Sequence, residues 1–504
     1  MRGIYTPITK IRRQVFTAIA RFAYERDLDS MDFSPLYEMP YEIIPGEVPL
    51  YRESIHKERA IIKERLRLAL GLSQRPATAH RPFTEDMASC TQVDELFDLP
   101  LVNVIPFACV ACPTDMFLVT NNCRKCLAHP CTAVCPVKAV SMGRYAAEID
   151  NEKCIHCGRC EKACPYKAIV RTGRPCAEAC GVDAITSDEM GRAKITDRCV
   201  NCGLCIVSCP FAAITDKAEI FQLITAIRQG HRVYAEIAPS FVGQFGPLTT
   251  PGHVVSGLKA LGFIDVVEVA LGADIGSLGE SEEYLRRVTD ESFLGTSCCP
   301  SWADLARRFY PEVSEHVSVS HTPMVATAQR IKDRDPEAKI VFIGPCTAKK
   351  IEGLEPAVRP YIDYVITFEE LMGMFSAKSI ELTDQPEEEF LTLASRDGRN
   401  YAVAGNVAQA IAACIERKEP GRKVPLMNAD SLEACQKMLK LAKAGKTPGH
   451  ILEGMACPGG CVGGPGTLTP IARAGASVKQ FAGKSNFETA VDNPHAVETQ
   501  SRES

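Results

Sequence analysis

The chain has 504 residues, 24 of them cysteine, and a formal net charge of −5. That charge gives no reason to invoke nucleic acid, and no run of about 18 apolar residues is present that would insert in a membrane. The cysteines fall largely in Cys-x-x-Cys runs, which argues for metal in a reducing compartment and against disulfides, so a cytoplasmic protein is expected.

Length suggests about three domains. Residues 7 to 26 read as a basic amphipathic helix in which Lys10, Arg12 and Arg13 interrupt any signal-like apolar core. A Pro-rich loop is predicted from Pro40 to Pro49, then a charged helix from Arg52 to Leu70 stopped by Gly71. Residues 1–100 are therefore expected to be a helical region capping the cysteine-rich domain next to it in the chain, with a partner-docking surface as the alternative. No chemistry is visible there.

Residues 101–216 form a cysteine array with an internal repeat. Adding 45 to Cys131, Cys135, Cys154, Cys157, Cys160 and Cys164 gives Cys176, Cys180, Cys199, Cys202, Cys205 and Cys209, and Cys164-Pro-Tyr-Lys-Ala-Ile169 repeats as Cys209-Pro-Phe-Ala-Ala-Ile214. In each copy a Cys-x-x-Cys-x-x-Cys run can wrap three corners of a 4Fe-4S cubane while the Cys before Pro crosses to a neighbouring cluster, as in a duplicated bacterial ferredoxin module. Cys123 and Cys126 complete the first copy. The second lacks that pair, and Cys109 and Cys112 are the natural donors, giving 16 thiolates and up to four cubanes. Local pairing gives the sets Cys123/Cys126/Cys131/Cys164, Cys135/Cys154/Cys157/Cys160, Cys180/Cys199/Cys202/Cys205 and Cys109/Cys112/Cys176/Cys209. Swapping the fourth cysteines between copies satisfies the same count. Zinc is the competing reading for Cys109 and Cys112. His129 and His156 read as neighbours of the clusters or surface residues.

Residues 217–480 have an α/β texture. Arg232–Ile237, Ile264–Ala270, Lys339–Ile343 and Tyr401–Ala404 are apolar runs of strand length, each followed by turn or helix signals. Three cysteine loops punctuate this segment: Thr296-Ser-Cys-Cys-Pro-Ser-Trp302, Gly344-Pro-Cys-Thr-Ala-Lys-Lys350 and Met455-Ala-Cys-Pro-Gly-Gly-Cys461. Cys299, Cys346, Cys457 and Cys461 could supply the four thiolates of one further cubane, with Cys298 beside it as a proton-carrying thiol. Cys90, Cys414 and Cys435 are left over as ordinary small residues. From about 480 the chain is a polar tail, expected to be mobile.

The three loops resemble the motifs of the catalytic domain of iron-iron (FeFe) hydrogenases, over roughly residues 217–470, and Ala238-Pro-Ser-Phe241 resembles the opening of that domain. The resemblance implies reversible reduction of protons to dihydrogen at an H-cluster, a 4Fe-4S cubane joined to a two-iron subsite bearing carbon monoxide, cyanide and an azadithiolate. It implies that Cys299, Cys346, Cys457 and Cys461 hold the cubane, Cys461 bridging to the two-iron subsite. Cys298 passes protons, Lys349 donates to a cyanide, and Met455 packs near a bridging carbonyl. Glu280, Glu283, Arg287 and Ser318 match the spacing of the family's proton path, the alternative being a solvated helix face. Two departures, Gly344 where the commonest members have Met and Gly463-Gly-Pro-Gly-Thr467 where they have Gly-Gly-Gly-Gln-Pro, bring the chain nearer the group B branch and alter the surroundings of the two-iron site. The implied fold is an α/β catalytic domain preceded by an α+β duplicated ferredoxin-like domain and the helical N-terminal region.

The proton/dihydrogen couple at pH 7 and ferredoxin-type clusters both lie near about −0.4 V, so electrons could run either way along the array. No dinucleotide fingerprint is present. A ferredoxin or similar low-potential carrier is the expected electron partner, and maturation proteins would build the two-iron subsite. The competing readings are a hydrogenase-like cluster-assembly protein without that subsite, whose known examples usually lack the first Cys of the doublet, and a hydrogen sensor.

Overall fold

The computed structural model describes residues 3–30, 32–76, 80, 82–95, 97–289, 292–388 and 393–503, with side chains to 498. The first helix, Pro7–Glu25, starts where Thr6 caps it by accepting from the Thr9 amide at 3.4 Å, with Pro at the first turn. Its buried stripe of Val15, Phe16, Ile19, Phe22 and Ala23 recurs at helical spacing. That stripe packs against the α/β region of residues 217–480, contrary to the expectation of a cap on the cluster domain. A Cβ added at Gly373, in the Phe368–Ala377 helix, would lie 2.6 Å from the Phe16 Cβ, so the glycine permits the approach. A later helix, Ile55–Ala69, bridges the two regions, with Ile62 and Leu66 in the core of the α/β region and Ile61 and Leu68 in the cluster-domain core. The expected loop at Pro40 begins instead as a short helix, Met39–Ile43, because Pro is acceptable in a first turn.

Buried charges lock these regions together. Arg12 donates to Glu369 at 2.8 Å and pairs with Asp216 at 3.4 Å, while Lys350 reaches Asp216 at 2.8 Å and Glu370 at 2.7 Å.

The cysteine array repeats in backbone as well as in sequence. Left-handed conformations recur 45 residues apart at Lys138 and Asp183, His156 and Asn201, Gly158 and Gly203, and Lys167 and Ala212. Each copy closes with a small antiparallel pair, Met116–Val119 on Ile169–Thr172 and Val102–Val104 on Ile214–Asp216.

Beyond it, four parallel strands are ordered Asp265–Glu268, Val233–Ile237, Lys339–Gly344 and Tyr364–Thr367. A second parallel sheet orders Leu294–Gly295, Ile451–Gly454 and Leu426–Ala429. Both are flanked by helices, as buried parallel sheets require. Three of the four expected strands form. Tyr401–Ala404 is a run of turns between the Arg396–Asn400 helix and left-handed Gly405, and is apolar because Tyr401 and Ala402 line an internal cavity.

The expectation of a mobile tail does not hold. Ala490 and Ala496 are buried, and Asn493 donates to Asp274 at 2.8 Å and to the Leu393 carbonyl at 2.7 Å, tying the Pro494–Glu503 helix to the Ala270–Arg287 helix.

Candidate functional site

All three cysteine loops leave the carboxyl ends of parallel strands: Cys298 and Cys299 after Leu294–Gly295, Cys346 after Lys339–Gly344, and Cys457 and Cys461 after Ile451–Gly454. Ligand sites of α/β sheets gather at that end. The first loop is fixed by Trp302, fully buried, whose indole donates to the Thr296 carbonyl at 3.0 Å and lies flat against Gly454, where a Cβ would come within 2.0 Å of the ring. The three loops surround one cavity of about 80 Å³ with largely apolar walls. Cys298, Cys299, Cys346, Cys457, Cys461, Lys349 and Met455 all line it.

Burial pushes the Cys346 thiol up to about 11 and Cys461 up to about 12, and Cys298 and Cys457 well above the usual range. Thiols so placed keep their protons at neutral pH, and cluster binding must displace those protons from the ligands. No three His, Cys, Asp or Glu side chains among the described residues gather closely enough for a single metal ion. A cubane fits better, because its thiolates sit on four separate iron corners.

Two polar atoms on the wall make no hydrogen bond among the described residues, Lys349 Nζ and Ser240 Oγ. Glu352 Oε2 is 2.7 Å from Lys349 Nζ, close enough for an ion pair but off the hydrogen-bonding direction. Burial alone would lower the Lys349 pKa, yet Glu352 more than offsets it and the ammonium stays charged. A buried cation and a hydroxyl with free donors suit small anionic ligands, which is what a cyanide-bearing group would offer. Ser240 and Glu352 are not among the residues the sequence points to. Ser240 lies in view within Ala238-Pro-Ser-Phe241, but nothing local distinguishes its hydroxyl.

At Gly344 the strand alternation places Phe342 on the same face. A Cβ at Gly344 would be 2.4 Å from the Phe342 ring, and that ring contributes to the cavity wall. A larger residue at Gly344 would require Phe342 to move.

Glu280 and Glu283 are only 2% and 3% exposed, so they do not form a solvated helix face. Glu280 accepts from the Ser297 amide at 2.7 Å, Ser318 donates to Glu283 at 2.6 Å, and Glu283 pairs with Arg287, which reaches the surface. Burial, only partly offset by hydrogen bonds from Ser297, raises the Glu280 carboxyl to about 7, and after burial itself the Glu280 charge is the largest influence raising the Cys298 thiol.

In the array, Cys123, Cys126, Cys131 and Cys164 line one small cavity, and Cys109, Cys112, Cys176 and Cys209 another. Cys135 lies by Cys154 and Cys160, and Cys180 by Cys199, Cys202 and Cys205. This is the local grouping, with the upstream pair joined to the second copy. Cys135, Cys164, Cys180 and Cys209 each accept an amide from the alanine four residues on, Ala139, Ala168, Ala184 and Ala213, at 3.2–3.3 Å. Amides on cluster sulfurs raise reduction potentials. Cys202 also lines the cavity of the three loops, with Cys299 and Cys457, so the inner copy abuts that cavity.

Residues 231–465 match the family described as iron only hydrogenase large subunit, C-terminal domain, and residues 147–170 and 193–215 match the 4Fe-4S binding domain. The chain is 29% identical over 266 residues to the periplasmic [Fe] hydrogenase large subunit of Nitratidesulfovibrio vulgaris, covering 44% of this chain and 63% of that one. It is 27% identical over 371 residues to iron hydrogenase 1 of Clostridium pasteurianum, covering 63% and 64%. It is also 24% identical over 287 residues to cytosolic iron-sulfur assembly component 3 of Pongo abelii, covering 46% and 60%. The chain thus spans less than two thirds of these relatives' own lengths. It is an FeFe-hydrogenase-like iron-sulfur protein with a ferredoxin-like 4Fe-4S region ahead of the hydrogenase domain, and among the described residues no helix is long and apolar enough to cross a membrane.

Proposed function

We propose that the protein reversibly reduces protons to dihydrogen at an H-cluster, exchanging electrons through its 4Fe-4S array with a ferredoxin-like carrier in the cytoplasm. The observation that carries this reading is the single apolar cavity on which four cysteines, the additional Cys298 and the unsatisfied donors of Lys349 and Ser240 converge. A two-iron subsite, when bound, would supply the metal at which protons and electrons combine.

The chain's own residues would do the rest. Cys299, Cys346, Cys457 and Cys461 would hold the cubane, and Lys349 and Ser240 would orient the anionic ligands of the subsite by donating to them. Cys298 would hold a proton at Sγ. Glu280, Ser318 and Glu283 would relay it from Arg287 at the surface, Ser318 donating to Glu283 and Glu283 pairing with Arg287. The apolar wall, including Phe342 and Met455, would exclude water from the reacting centre.

Similarity to an iron-sulfur assembly component supports a second reading, a hydrogenase-like protein that carries the cubane without the two-iron subsite. Cys298 and the free donors facing the cavity favour the first. The test is an infrared spectrum in the carbonyl and cyanide stretching region on protein made anaerobically with maturation factors, followed by a hydrogen assay on the same sample. Bands with turnover are expected. A loaded cubane without bands would overturn the proposal in favour of the assembly-type protein, and bands without turnover would favour a sensor.

A further inference from the structure

The two copies of the ferredoxin repeat have the same backbone but different surroundings. In the inner copy, the face around Cys202 is covered by the catalytic region. Val182 and Val200 pack into the core that holds Trp302. Ser301 donates to the Val200 carbonyl at 2.8 Å, Thr347 to the Asn201 carbonyl at 2.7 Å, and a Cβ at Gly203 would meet Thr347 and Pro465. This is the face through which the array meets the catalytic cavity.

Subtracting 45 gives the same face in the outer copy, and there it is bare. Val137 and Ile155, the counterparts of Val182 and Val200, are 38% and 57% exposed, where the inner pair are 2% and 3% exposed. Cys157, counterpart of Cys202, is exposed as well. The outer face has kept its apolar centre with none of the described residues covering it.

Its rim has changed sign. Lys138 stands where the inner copy has Asp183, and exposed Arg159 and Lys162 stand where it has Leu204 and Val207. Residues 131–171 carry seven basic and four acidic side chains, while the matching residues 176–216 carry three and six, in a chain whose net charge is −5. An apolar centre with an exposed cluster cysteine, rimmed by cations, is complementary to an acidic partner and would steer its approach.

We propose that the Cys157 face of the outer copy is the docking site for an acidic one-electron carrier protein, the counterpart of the Cys202 face that docks the catalytic region. This rests on the electron-relay reading above. In the transfer itself one electron passes from the reduced carrier to the oxidised cluster of Cys135, Cys154, Cys157 and Cys160. The carrier is oxidised, the cluster is reduced, and no bond or proton moves.

The test uses the full chain with its 4Fe-4S clusters loaded but without the two-iron subsite, so that hydrogen turnover plays no part. A reduced acidic two-cluster ferredoxin is mixed with the oxidised chain in stopped flow, and cluster reduction is followed by absorbance, with reduced methyl viologen as the small-molecule control. The variants are Lys138→Asp, which copies the inner repeat at a left-handed position that Asp183 already occupies, and Arg159→Glu with Lys162→Glu. Each is expected to raise the half-saturating ferredoxin concentration by about tenfold at low ionic strength, to converge with the parent at about 0.5 M salt, and to leave the viologen rate unchanged. Unchanged ferredoxin kinetics in Lys138→Asp would overturn the proposal. So would an equal loss of the viologen rate, or a loss of self-association measured by sedimentation as the sole effect, which would assign the face to a second copy of the chain.

Discussion

Replacing Cys109 and Cys112 together by alanine asks whether an orphan Cys-x-x-Cys, separated from its partners by some sixty residues of the outer copy, completes a cluster. In the structure these two line a cavity with Cys176 and Cys209, one of four quartets in the array. With the quartet of the three-loop cavity they make five, so at four irons per cubane the chain without the two-iron subsite should hold about 20 irons. The double variant leaves two thiolates at one quartet, too few to retain a cubane, and should hold about 16. The fold should survive, because Arg174 holds this loop through the Cys112 carbonyl at 3.2 Å and the Gly191 carbonyl, groups that the substitution keeps. Iron and zinc are measured by mass spectrometry on anaerobically purified protein, alongside the 4Fe-4S absorbance. Unchanged iron would refute the assignment, and loss of one zinc at constant iron would replace it with a zinc site.

Cys298→Ala should keep iron content and any carbonyl and cyanide bands while hydrogen turnover falls by about 100-fold or more, since the thiol is assigned to proton transfer and not to ligation; lost iron would contradict that. Glu280→Gln tests the buried carboxyl. Burial raises it from 4.5 to about 7, so the folded chain keeps a proton that the unfolded chain releases in that window, and stability falls as pH rises through it. The variant should therefore gain stability relative to the parent between pH 5 and pH 8, by up to about 3 kcal/mol in denaturant titrations; an equal difference at both pH values would count against it. Arg399→Met should destabilise by about 3–5 kcal/mol, because it strands Glu268, which the guanidinium grips at 2.9 and 3.0 Å in the core; an unchanged denaturation midpoint would show that Glu268 finds other partners.

The features most legible in the sequence are those with fixed spacing. Cysteine loops and the 45-residue repeat reveal themselves because cluster geometry dictates intervals along the chain, and the strands Val233–Ile237, Asp265–Glu268 and Lys339–Gly344 show as apolar runs because both faces are covered. Tyr401–Ala404 has the same texture for another reason, since a cavity wall is as apolar as a strand. The strands Tyr364–Thr367 and Ile451–Gly454 do not stand out because each is only four residues long and carries polar residues, Glu453 among them, that are satisfied by backbone amides of distant segments. Glu280 and Glu283 resemble surface charges because their partners Ser297 and Ser318 come in later elements. The packing of the first helix is invisible for the same reason, its complement lying in a helix far downstream.

That separation bears on how the protein is made. Arg12 and Glu369 are 357 positions apart, so at about 5–20 residues per second the ribosome needs about 20–70 s between delivering the first and the second. Throughout that interval the Pro7–Glu25 helix lacks the surface it finally covers. Nascent chains arrested before residue 370 are therefore expected to stay open to protease near their amino end.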